Sequence, residues 1–103
     1  MLATFPEAHP GPGVTRRVLA DSPELMVVSF RFEAGAEGAR HEHAHVQSTY
    51  VRAGRFRFEV ADERFEVGPG DAFVIPAEAS HGCLCLEAGE LVDTFTPRRD
   101  DFL

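Results

Sequence analysis

The 103-residue chain has no tryptophan, one tyrosine and two cysteines, and its 10 Lys+Arg fall well short of its 17 Asp+Glu. The deficit leaves a formal charge of −7. Nucleic acid and anionic membrane are therefore not expected as partners, since no basic patch is available to release counterions. An anionic small molecule stays open, because one local Arg or a metal ion overrides the net field. No apolar run reaches the length of a membrane span. The opening Met1-Leu2-Ala3-Thr4-Phe5-Pro6 lacks a basic segment followed by an apolar core, so no signal peptide is expected. Cys83 and Cys85 stand two apart, a spacing that rarely bridges on one strand face. Two free thiols fit a reduced, cytoplasmic protein. Repeats, linkers and a sustained helical period are all missing as well.

What the chain does have is alternation. Met26, Val28, Phe30 and Phe32 alternate with Val27, Ser29 and Arg31, which predicts a strand over 25–33. Arg55 to Val60 and Arg64 to Val67 alternate apolar and charged residues around Ala61-Asp62-Glu63, the pattern of a hairpin with one wet face. Short strands are also expected over 15–19, 49–51, 72–75, 81–86 and 91–96, with turns at Gly54, at Gly68-Pro69-Gly70-Asp71 and over 87–90. Residues 1–13, with Pro6, Pro10, Gly11, Pro12 and Gly13, read as an irregular lead-in, and 14–103 as a single domain. Many short strands between Gly/Pro turns predict an all-β sandwich or barrel with little or no helix.

One run carries the chemistry. His41, His43 and His45 occupy every second position, and Gln47 follows two further on. On an extended strand all four share a face. Imidazoles at that density point to a metal site. A distant His81 shares its face with Cys83 and Cys85, and Asp93 shares its own with Leu91 and Phe95. An acid facing into a barrel needs a partner or a task.

These residues resemble the cupin family. Its first motif runs Gly, five residues, His-x-His, three or four residues, an acid, six residues, Gly. Gly35, His41, His43, Gln47 and Gly54 fall on it, with Gln47 in place of the acid. Gly70, Pro76 and His81 fall on the second motif, where Glu78 replaces a glycine and Cys85 stands near the final Asn. The resemblance implies a jelly-roll β-barrel holding one divalent metal on His41, His43, Gln47 and His81. Nickel or zinc is favoured over manganese or iron. His45 falls on no required position and is expected beside the ligands or at the pocket mouth, in contact with substrate.

The stretch from Arg17 to Val28 and the ending from Asp93 to Leu103 resemble the KdgF-type cupins, also called pectin degradation proteins. Val46 and Arg55 stand where that group usually carries acids. The resemblance implies conversion of 4,5-unsaturated uronates, from pectin or alginate lyases, to linear 5-keto-4-deoxyuronates. It also implies a homodimer acting on a small anionic sugar. For that chemistry Asp93 is the expected general acid/base, Arg99 the grip on the carboxylate, and Phe95 a packing surface for the flat part of the sugar. The alternative roles are orientation of a ligand His for Asp93 and pairing with Asp100 or Asp101 for Arg99. The rival readings are a metal-dependent dioxygenase and a non-catalytic sugar- or metal-binding module. Neutral Gln47 and the Asp93/Arg99 pair favour Lewis-acid chemistry over oxygen activation.

Overall fold

Strands with one apolar face must cover it, and this chain does so by stacking its strands in two layers. A computed structural model describes residues 2–103. Its strands are β1 (Glu7–Gly11), β2 (Val14–Asp21), β3 (Met26–Phe32), β4 (Glu37–His41), β5 (Val46–Val60), β6 (Glu63–Val67), β7 (Ala72–Ile75) and β8 (His81–Thr96). A single 3₁₀ turn, Asp100–Phe102, is the one helical element among the described residues. No helix there is long and apolar enough to cross a membrane. The all-β expectation holds.

β5 and β8 have 15 and 16 residues and pair antiparallel from end to end. Residues 46–51 of β5 lie between β7 and the second half of β8, with β3, β2 and β1 following in order. The later part of β5 pairs with β6, and the first part of β8 with β4. The two long strands therefore belong to both layers of the jelly roll. They pass from one to the other where their register slips, between Val51 and Phe56.

The sequence reading broke each of these strands in two, with turns at Gly54 and over 87–90. The structure corrects this. Gly54 has φ of +80°, and a Cβ there would lie 2.4 Å from the Glu87 carbonyl oxygen. A Cβ on Gly89 would lie 2.0 Å from the Ala53 oxygen. The glycines mark where two bending strands press their backbones together, not where the chain reverses. The lead-in is corrected too, since β1 lies inside it. β1 pairs only with β2, and an outermost strand tolerates Pro10 because it has a free side.

Side chains facing inward form two clusters. Phe32, Val51, Phe56, Phe58 and Leu91 are among the buried members of one. Val18, Met26, Val28 and Phe95 make the other. Phe32 and Phe56 meet edge to face at 5.2 Å between layers.

The crossing makes a stability prediction. Gly89→Ala should destabilise the protein by at least about 2 kcal/mol, because backbone and not a movable side chain occupies the space. Gly11→Ala meets nothing within 4 Å and should change stability by less than about 0.5 kcal/mol. Urea unfolding of the two variants checks this; equal effects would contradict the close approach.

Candidate metal centre

His41 ends β4, His81 opens β8, and the register sets them opposite one another. Their ring centroids are 4.4 Å apart. His43 comes from the link between β4 and β5, and Gln47 is the second residue of β5. The sequence reading placed the whole His run on one strand face, and the structure corrects that as well. Strand pairing stops at His41 and resumes only at Val46. The side chains converge because the chain bends from one layer to the other between them.

Each of the three histidines is aimed by its own backbone. Nδ1 lies 2.8 Å from the Ala39 carbonyl in His41, 3.0 Å from the His45 carbonyl in His43, and 2.9 Å from the Ala79 carbonyl in His81. A carbonyl accepts only, so each Nδ1 carries the proton and donates it. In the neutral ring this tautomer puts the lone pair on Nε2, the form that binds metal. One ring nitrogen from each of the three residues lies within 4.8 Å of the others. That is close to the span set by two bonds of about 2.0–2.2 Å to a single ion.

Gln47 adds a fourth donor. It is buried, and its Nε2 donates to Thr49 Oγ1 at 3.0 Å. Its Oε1 therefore faces His43 Nε2, also at 3.0 Å. With Nδ1 of His43 already donating, both atoms present lone pairs to each other. Protonating His43 would relieve this, but burial first, then Arg99, holds its pKa below the ordinary histidine value. A cation between the two atoms resolves the conflict, so the donor set fits a metal. His81 is likewise neutral: burial, reinforced by the other two histidines and Arg99, lowers its pKa to about 4.

A cavity of about 520 Å³ opens onto this cluster. His41, His81, Gln47, Asp93, Phe95 and Arg99 all line it. Asp93 lies opposite Thr49 across the β5–β8 ladder and is only 5% exposed. Its Oδ1 has no hydrogen-bond partner among the described residues. Burial raises its pKa to about 7, against the weaker pull of Thr49, Gln47 and Arg99. It orients none of the three histidines, whose Nδ1 atoms are all taken by carbonyls. Asp93 is thus a buried acid with one unpartnered oxygen, on a residue that lines the cavity.

Arg99 lies 5.2 Å above Phe95 and 4.2 Å above Phe102, and it grips Asp101 through two bonds of 3.0 and 2.8 Å. The expected pairing with a neighbouring acid is therefore present, and one edge of the guanidinium still meets the cavity. Phe95 belongs to the core at 2% exposed while also forming cavity wall. His45 is not brought into the cavity. Its Nε2 lies 3.0 Å from the Arg98 carbonyl, where it ties down the chain end. Cys83 and Cys85 are unbridged. Burial pushes the Cys83 thiol up to about 12, and it lies outside the His41/His43/His81 cluster.

Two residues escaped the sequence reading. Thr49 is fully buried between Gln47 and Asp93. Its signal was parity, two positions past Gln47. Arg16 also lines the cavity. Its signal was its place between inward-facing Val14 and Val18.

Residues 28–94 match the cupin domain model. The chain is 40% identical over 95 residues to the pectin degradation protein KdgF of Dickeya dadantii, covering 90% of this chain and 86% of that protein. The structure of KdgF from Halomonas sp. superposes with a TM-score of 0.90 at 41% identity, covering 98% of each chain. An RmlC-like cupin from Shewanella frigidimarina gives 0.91 at 38% identity, covering 96% of this chain and 89% of that one.

The neutral His81 predicts a pH dependence of the metal-free protein. Above an unfolded-state pKa of about 6.5 neither state binds the proton and its stability is complete. As pH falls from there toward the folded value of about 4, only the unfolded chain protonates, and stability drops by an order of 2–3 kcal/mol. Urea titrations after chelation check this. His81→Gln should flatten the slope between those pH values, and an unchanged slope would contradict it.

Proposed function

The chain belongs to the cupin family, within its KdgF group, and from that premise we propose that it converts 4,5-unsaturated uronates to linear 5-keto-4-deoxyuronates. Such sugars are the products of pectin and alginate lyases. The observation that carries the reading is Asp93: a buried acid, one oxygen unpartnered, on the same cavity wall as the His cluster.

The reaction moves one proton overall. The C1 hydroxyl loses its proton and the ring oxygen gains one as the bond between C1 and that oxygen breaks, leaving an aldehyde and an enol at C5. A proton then arrives at C4 as the enol hydroxyl releases its own, and the enol becomes a ketone. A carboxyl with a pKa near 7 can both accept and return a proton at neutral pH. Thr49 and Gln47 favour its charged form more weakly than burial opposes it, and its Oδ1 is left without a partner. A divalent ion on His41, His43, His81 and Gln47 would supply Lewis-acid polarisation of the sugar oxygens, undiminished by any anionic ligand. Nickel or zinc is preferred in this reading, ahead of manganese or iron. Phe95 offers an apolar wall to the flat C4=C5 region, and Arg99 adds positive potential.

In this reading the protein works in the cytoplasm as a homodimer. Two free thiols support the first. Val46, Tyr50 and Val74, exposed together on the outer face of β5 and β7, support the second.

Two outcomes test the proposal. Metal analysis should find about one divalent ion per chain, and His41→Ala/His81→Ala should lose it; unchanged occupancy would remove the cluster as its holder. Metal-loaded protein should speed the loss of the enol-ether absorbance of unsaturated galacturonate, and Asp93→Asn should keep the metal yet slow turnover by roughly 10²–10⁴-fold. Full activity in that variant would reduce Asp93 to a structural role.

A further inference from the structure

Two cations line the cavity, Arg16 and Arg99. Arg99 spends one edge of its guanidinium on Asp101. Arg16 has no such partner among the described residues. It stands on β2, opposite Phe30, and its guanidinium lies 4.2 Å above the Phe102 ring. The Arg99 guanidinium lies at the same distance from that ring, so the two cations are neighbours across one aromatic side chain. Phe102 is itself wedged edge-on against Phe30 and Phe95. The charges that Arg16 feels are Asp101 and Arg99, and no hydrogen bond to an acid is among them. All five of its N–H groups remain available.

A half-buried guanidinium with no acceptor has lost water without gaining a partner. A ligand carboxylate supplies that partner, and the planar fork matches it with two parallel bonds. Contact with the Phe102 ring at 4.2 Å already restrains the side chain, so less freedom remains to be lost on binding. The cavity lining already includes two acids, Asp93 and Glu37, so an anionic sugar needs positive charge that Asp101 does not neutralise.

We propose that Arg16 is the carboxylate anchor of this cavity and sets its preference for acidic over neutral sugars. This rests on the uronate reading above, and assigns to Arg16 the role that the sequence suggested for Arg99. Arg99 then fixes Phe102 and the chain end and contributes potential more than a direct fork.

The test uses metal-loaded protein. Arg16→Gln should raise KM for unsaturated galacturonate by roughly ten- to a hundredfold with kcat little changed, as expected for a group that holds substrate and transition state alike. Calorimetry with saturated galacturonate and its methyl ester provides a readout that needs no turnover. Wild type should prefer the free acid, and Arg16→Gln should erase most of that preference. An unchanged KM and an unchanged preference would overturn the anchor while leaving the ketonisation reading intact. Weakened galacturonate binding in the variant, with no turnover by wild type, would keep the anchor and remove the reading. Failure of wild type to bind galacturonate would overturn the anchor itself. If Arg16→Gln does not fold, Arg16→Met keeps the apolar stem over Phe102 and decides by the same criteria.

Discussion

The site depends on one pairing, the ladder that β5 and β8 share through both layers. It sets Thr49 against Asp93 and Gln47 against Phe95 in the first layer. It also fixes the start of β8 in the second layer, where His81 meets His41 across β4. A slip of β8 by one residue would turn Asp93 and His81 away from Gln47 together. The glycine corner at Gly54 and Gly89, where the backbones press close, pins that register. Fold and site are therefore specified by the same contacts.

Within that frame the chemistry comes from unequal treatment of titratable groups. Three histidines are turned by backbone carbonyls, so that their remaining ring nitrogens converge. The carboxyl of Asp93 is buried without a full set of partners, which lifts its pKa toward neutrality. The amide of Gln47 joins the two, with its oxygen toward His43 and its nitrogen toward Thr49. Environments that push neighbouring groups apart in this way are how a small site comes to hold both a cation and a mobile proton.

Much of this was legible in the chain. The alternation of 25–33 and of the 55–67 hairpin fixed strands and faces because polar and apolar residues trade places at every step. The spacing of His41, His43, Gln47 and His81 carried the cluster. The continuity of β5 and β8 was not legible. Glycines that admit a close backbone approach look in sequence like glycines that admit a turn. The lead-in hid β1 because an outermost strand tolerates the Pro and Gly that break an inner one. Arg16 was missed because a lone Arg within a charged strand looks solvated, and its inward position appears only once Val14 and Val18 are seen to be buried. His45 lay on the right parity but beyond the bend, so it met the Arg98 carbonyl instead of the cavity.

The central claim is that one wall of this cavity delivers a proton to C4 of an unsaturated uronate. Proton NMR of the product formed in deuterated water tests it directly. Delivery from Asp93 predicts one deuterium at C4 on a single face of the new methylene. Deuterium spread over both faces, as free enol would take it up from solvent, would contradict the account.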